Sequence, residues 1–342
     1  MGLTKRERLI KTLTGDQADR PLVSVWHHFL TKEQTASDLA EATLSFVNQY
    51  DWDWVKINPR ATYLAEVFGN RYDFSDYQWV FPRQVEAVVK APGDLSQIKE
   101  VAWEDSAPLL EQLEVVQRIR LDLPDTPLLQ TVFSPLTVLL FLTGNQAYVD
   151  QKMYGADNPI DLQLLFRHYR SDVHRALHAI ALTLKDYVKA LDVVGADGLF
   201  YATTGTAHPK LFSLEQFNEF SRPYDEIVLS AMKKGGRLLH TCGPYADPER
   251  FNDYPVEGIS WDPNAEGNPD LTVKLDKVKV AGIDHDLFAT RDAEPLKEQV
   301  KASLSKIADE PFLLAPNCAV SPQATVETLT ALKEGMERLR GE

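Results

Sequence analysis

Eight short apolar runs, separated by stretches of helical period, constrain this chain more than any other feature. They are PLVSVW (21–26), WDWVKIN (52–58), PLLQTVF (127–133), ADGLFYAT (196–203), GRLLHTC (236–242), VEGISWD (256–262), VKVAGIDH (278–285) and FLLAPNC (312–318). Each looks like a buried strand. Helical patterns fall at 5–13, 36–50, 107–121, 161–194, 293–308 and 322–340. A further helix starts at Ser213, with Glu215 and Gln216 in its first turn as a capping arrangement. Strands that alternate with helices build a parallel sheet. The count of eight favours closure into a single (β/α)8 TIM barrel over an open doubly wound sheet. No Gly-x-Gly-x-x-Gly follows the first run, which disfavours a dinucleotide-binding fold. Residues 59–126 hold aromatics and short extended pieces and read as a long insertion after the second strand. A barrel takes ~250 residues and more with insertions. The 342 residues therefore suit one domain over 1–342, and no linker, repeat or low-complexity tract divides them.

Charge and cysteine usage narrow the function classes. The net charge of −14 opposes a general nucleic-acid role, because neutralising phosphate drives that binding. The opening MGLTKRERLIKTL is charged and lacks the apolar core of a signal peptide. No run approaches ~18 consecutive apolar residues, so no membrane span is expected. Two cysteines far apart in the sequence suit a reducing compartment and a cytoplasmic protein.

In a barrel of this kind the active site lies at the C-terminal ends of the strands. Those ends carry His27 and His28, Lys56 and Asn58, Tyr201 and Thr203, His240 and Cys242, Asp262, Asp284 and His285, and Cys318. His240 and Cys242 stand at i and i+2 on one strand and so share a face. Cys318 follows about 75 residues later, on the eighth strand. One imidazole and two thiolates form a zinc ligand set with one position open. Two incidental core thiols are the bland alternative. A disulfide is disfavoured, because the fifth and eighth strands are not neighbours and the Cα atoms must come within roughly 7 Å. Zinc in such a set would bind a substrate thiol as thiolate, a nucleophile at neutral pH.

The other candidates divide by position. Asp284 and His285 are candidates to orient a ligand or act as acid and base, and Tyr201 to face the mouth. Lys56 is placed to neutralise an anionic substrate group. His27 or His28, and His208 in TGTAHP, are candidates to line the mouth. His174 and His178, spaced HxxxH on a crossover helix, read as a solvated face.

The whole chain resembles the uroporphyrinogen decarboxylase superfamily. The resemblance rests on KRERLIKTLTGDQADRP, FSPLTVLLFLTG (133–144), GADGLFYAT, FSRPYDEIVLSAM and LLAPNCAVSPQATVETLTAL. Its decarboxylase branch would carry an arginine-rich loop after strand one and an aspartate after strand two. Here those places read VWHHFLTKEQ and KINPR, with no arginine in the first and Asn58 near the expected aspartate. Without guanidinium forks a polycarboxylate loses its bidentate partners. The chain is more similar to the other branch, the zinc-containing, cobalamin-dependent methyltransferases such as methylcobamide:coenzyme M methyltransferases. Their His-x-Cys, then Cys about 75 residues later, corresponds to His240, Cys242 and Cys318.

That resemblance implies Zn2+ on those three residues, a methylcorrinoid donor carried by a separate corrinoid protein, and a small-molecule methyl acceptor. It leaves Asp284, His285 and Tyr201 as candidate catalytic groups, and His27, Lys56, Asn58 and His208 as candidate binding groups. Tetrapyrrole decarboxylation is the alternative activity. Pairing into a homodimer is a further expectation.

Overall fold

The computed structural model describes residues 2–149, 155–233, 235–307 and 309–340. Its strands in chain order are β1 (Leu22–Val23), β2 (Val55–Ile57), β3 (Arg71–Gln78), β4 (Phe81–Glu86), β5 (Leu128–Phe133), β6 (Gly198–Thr204), β7 (Gly236–Thr241), β8 (Gly258–Ser260), β9 (Val278–Ile283) and β10 (Phe312–Pro316). Strands β3 and β4 form an antiparallel hairpin. The other eight form one sheet in the order β1-β10-β9-β8-β7-β6-β5-β2, and every neighbouring pair is parallel.

The sheet curls until its edges meet. Asp53 N donates to Val23 O at 2.9 Å, and Ser24 Oγ donates to Trp54 O at 2.6 Å. The Asp53 carboxylate accepts from Val23 N at 2.8 Å and pairs with Arg20 at 2.6 Å. One buried acid thus joins β1 to the segment entering β2.

Side-chain alternation sorts the sheet into two packed layers. The inner set includes Trp26, Trp54, Leu129, Phe200, Leu238 and Leu313. Trp26 packs on Trp54 and Phe200, with ring centroids 5.4 and 5.2 Å apart. Leu9 and Leu13 of the helix Lys5–Leu13 join this set, and Leu13 lies over Gly236 at the start of β7. That helix therefore covers the N-terminal end of the sheet. The outer face carries the larger core, against helices such as Ala36–Tyr50, Ala107–Asp122 and Arg170–Val194. The stretch expected as one helix over 161–194 is two, Leu162–His168 and Arg170–Val194, with Tyr169 between them.

Residues 59–126 contain the helix Tyr63–Val67, the β3–β4 hairpin and the helix Ala107–Asp122. The last packs against Ala36–Tyr50 as a crossover helix. The hairpin instead reaches the C-terminal end of the sheet, where its tip, Trp79 to Phe81, borders the cleft described next. No helix among the described residues is long and apolar enough to cross a membrane.

Candidate metal centre

A small cleft opens at the C-terminal ends of the strands. His240 enters it from β7 and Cys318 from the turn after β10. Leu238 and His240 share the inner face of β7, since Leu238 belongs to the inner layer and the side-chain period is two, and Cys242 follows directly after the strand's last residue. Beyond Cys242 the chain turns sharply at Gly243, whose φ of 78° suits glycine, and Cys242 N donates to Thr204 O at 2.9 Å. Cys318 is set by Asn317. The Asn317 amide donates to Asp262 Oδ1 at 3.0 Å, and its Oδ1 accepts from Gly282 N at 3.0 Å. This fully buried side chain ties the ends of β8, β9 and β10 together.

The result is a compact donor set. One ligand atom from each of His240, Cys242 and Cys318 lies within 4.8 Å of the others. The two sulfurs are 3.3 Å apart and are free thiols. Tetrahedral zinc with Zn–S of ~2.3 Å and Zn–N of ~2.0–2.1 Å needs donors roughly 3.5–3.8 Å apart. The sulfurs would have to part by about half an ångström, and the widest donor separation to close by about 1 Å, to hold such an ion. His240 Nδ1 is engaged by Ser260 Oγ at 3.0 Å, which leaves Nε2 for a metal, the orientation that surrounding partners usually impose.

The electrostatics suit a cation. Cys318 is held well below the usual thiol range by the hydrogen bond from Cys242, helped by His240 and His285. Cys242 is pushed up by the same contact and by burial. A dication bound there would hold both as thiolates. Tyr148 lies partly buried beside them and hydrogen-bonds Cys242, and loss of solvent around its hydroxyl pushes its phenol up. Asp262 is raised by burial, with Cys318 adding to the shift.

Lys56 and Asn58 line the cleft from β2. The Lys56 ammonium hydrogen-bonds Asn58 Oδ1 and lies 4.8 Å from the Phe200 ring centroid. Burial brings its pKa down to about 7, against the pull of the two cysteines. Asn58 is 5% exposed, and its Nδ2 has no hydrogen-bond partner among the described residues. A donor of that kind awaits an acceptor.

Other expected site residues lie elsewhere. Tyr201 and Thr203 do share a face, but it is the outer one. Tyr201 OH donates to Asp225 Oδ1 at 2.6 Å inside the helix layer, so it does not face the mouth. His27 packs against Phe29 and Phe46, with centroids 4.2 and 4.9 Å away, and its neighbour His28 lines the cleft instead. Strand β1 ends at Val23, so alternation does not carry forward to residues 27 and 28. His208 is buried against Tyr245, accepts from Lys210 N at 3.0 Å, and is not among the cleft residues. Asp284 caps the turn His285–Ala289, accepting from Asp286 N at 3.0 Å. His285 stands 4.0 Å from Asp262 and acts on Cys318 through charge. His174 is bonded to Tyr224 and Glu219 on the outside of the fold.

Asp225 yields a stability prediction. Its carboxyl accepts from Tyr201, Ser221 and Tyr254, yet burial outweighs them and lifts its pKa to about 7. The folded chain then holds a proton that the unfolded chain loses near ~3.9. Stability should therefore fall as pH rises from ~4 to 7, by up to roughly 1.4 kcal/mol per unit from this group. Asp225→Asn should flatten that slope in urea unfolding at pH 5 and pH 7.

The fold is an α/β protein with a curled parallel sheet, and its rim carries a histidine and two cysteines that could hold a metal ion. The chain belongs to the uroporphyrinogen decarboxylase (URO-D) family, which matches residues 4–339. No curated protein sequence matches it significantly. Among solved structures, a methyltransferase from Methanosarcina mazei superposes with a TM-score of 0.73 at 18% identity, covering 99% of both chains. A B12-independent methionine synthase from Shewanella sp. W3-18-1, in complex with selenomethionine, has a TM-score of 0.58 at 16% identity, over 94% of this chain and 98% of that one. A putative vitamin-B12 independent methionine synthase from Listeria monocytogenes has a TM-score of 0.54 at 13% identity, over 90% and 86%. At these identities the likeness is one of fold.

Proposed function

We propose that this protein is a zinc-dependent methyltransferase in a closed (β/α)8 barrel. It moves a methyl group from a methylated corrinoid, presented by a separate corrinoid protein, to a small thiol or similar acceptor. The buried His240, Cys242 and Cys318 donor set at the strand ends carries this reading. The fold shared with the Methanosarcina methyltransferase supports it. Decarboxylation of a tetrapyrrole fits less well, because no arginine lines the cleft among the described residues.

His240, Cys242 and Cys318 would hold the ion, Ser260 would fix the imidazole, and Tyr148 would steady the Cys242 sulfur. Zinc bound there supplies positive charge that lowers the pKa of an acceptor thiol. Lys56 and the free Asn58 amide face the same space and hold an acceptor group of the substrate. In the overall change the thiol gives up its proton, its sulfur bonds to the methyl carbon, and the cobalt–carbon electron pair stays on cobalt.

The zinc-loaded protein should demethylate methylcobalamin only when a small thiol is present, read as the visible spectral change of cobalt. Cys242→Ser should lose this by ~10³-fold or more, the range of losing a positioned activator. Absence of thiol-dependent demethylation, or turnover of a porphyrinogen instead, would end the methyltransferase reading.

A further inference from the structure

A second polar group lines the cleft, supplied by the segment after β1. His28 is 8% exposed and borders the same space as Lys56, His240 and Cys318. Its Nδ1 lies 3.1 Å from Glu33 Oε2. Glu33 is fully buried. Its other oxygen accepts from Tyr77 OH at 3.4 Å, and Tyr77 is fixed by Gln34 Nε2 at 2.8 Å. Arg60 donates to the Glu33 main-chain oxygen at 3.3 Å, not to its carboxylate. Among the described residues no lysine or arginine side chain bonds that carboxylate.

Burying a carboxylate without a cationic partner is costly, and a merely structural role has no need of it. The arrangement does have a use. A carboxylate accepting from Nδ1–H fixes the tautomer, leaves the Nε2 lone pair free and stabilises the imidazolium once formed. His28 Nε2 has no hydrogen-bond partner among the described residues.

We propose that His28, positioned by Glu33, is the base that takes the proton from the acceptor as it enters the cleft. This rests on the methyltransferase reading. For a thiol, the S–H bond breaks, the electron pair stays on sulfur, and the proton moves to His28 Nε2 and leaves through the cleft mouth. His28 is then a catalytic residue and Glu33 a positioning one. The titratable groups around them are His27 and Glu33 on the same segment, Lys56 from β2, Tyr77 from the hairpin, Arg60 beside Glu33, and His240, Cys318 and Tyr148 on the metal side.

The test uses full-length protein loaded with cobalt(II) in place of zinc, with 2-mercaptoethanol as probe. Growth of the sulfur-to-cobalt absorption band reports thiol binding without turnover, and its rate is followed by stopped flow across about pH 5–8. In the unmodified protein the rate should rise with pH along a limb below the ~8.5 of a free thiol. His28→Gln should remove that limb and slow binding about 10²-fold, the usual worth of a positioned base. Glu33→Gln should slow it roughly tenfold, because His28 loses the acceptor that holds its tautomer. Cobalt content and circular dichroism should stay unchanged in both. If His28→Gln fails to load cobalt, Glu33→Gln carries the test. A wild-type rate and pH limb in the loaded variants would overturn the assignment while leaving thiol binding intact. No thiol-dependent band in the unmodified protein would overturn both readings.

Discussion

Cys318→Ala is expected to abolish stoichiometric zinc binding. The site has three protein donors, and Cys318 is the thiol already held toward its thiolate by Cys242, His240 and His285. Its removal takes away one soft donor and leaves Cys242 as the single thiolate. An imidazole with one thiolate is a poor cage for a dication, so zinc affinity should drop on the order of 10³-fold, a modest share of the total for such sites. The check is metal content after dialysis against a weak chelator, alongside Ser260→Ala. The serine only orients His240, so its loss should cost 10–100-fold, the scale for partners behind metal ligands. Equal zinc retention in Cys318→Ala and wild type would remove the metal centre from consideration. The fold should survive, because Asn317 and the β9–β10 ladder hold the turn without the thiol.

Asp53→Ala should give the largest loss of stability among single changes at polar residues of the sheet. Asp53 is fully buried, accepts from Val23 N at 2.8 Å, and pairs with Arg20, itself mostly buried, at 2.6 Å. Truncation would strand a main-chain donor and a guanidinium where the sheet edges meet. Breaking a buried pair from one side costs about 3–5 kcal/mol. Urea unfolding should show that loss, and Asp53→Asn should recover part of it by still accepting from Val23. A cost below ~1 kcal/mol would mean that the seam between β1 and β2 is held by packing alone. Residual metal binding in the folded fraction should be near normal, since His240, Cys242 and Cys318 sit on other strands.

Legibility varied with how local the cause was. The eight apolar runs fold as parallel strands because a strand covered on both faces must be apolar throughout, a property carried by the run itself. His240 and Cys242 were legible as a pair for the same local reason, the period of two within one strand. Tyr201 and Thr203 were correctly placed on a common face, but period alone does not say which face is the inner one. Phe200 took the inside, and Tyr201 went out to Asp225. His27 and His28 were less legible still. They follow a strand of two residues, and the turn beyond it selects which imidazole enters the cleft.

Tyr148, Asn317 and the Glu33–His28 pair left no periodic signal. Tyr148 reaches Cys242 from a part of the chain with no ladder to β7. Asn317 acts through bonds to two other strands, and Glu33 acts through a histidine and a hairpin tyrosine. Such roles depend on which distant segments the curled sheet brings together.

The sequence by itself determined the eight parallel strands of the main sheet, the donor chemistry of one histidine and two cysteines, and the end of the sheet at which they stand, but not the β3–β4 hairpin. All of these follow from residue type and short-range period. Only the tertiary structure decided that the three donors converge within 4.8 Å, that Lys56, Asn58 and His28 share their cleft, and that Tyr201, His27 and His208 do not. Convergence requires curling a sheet across the full length of the chain, and the angle at which each strand enters it is fixed by packing between elements far apart in sequence.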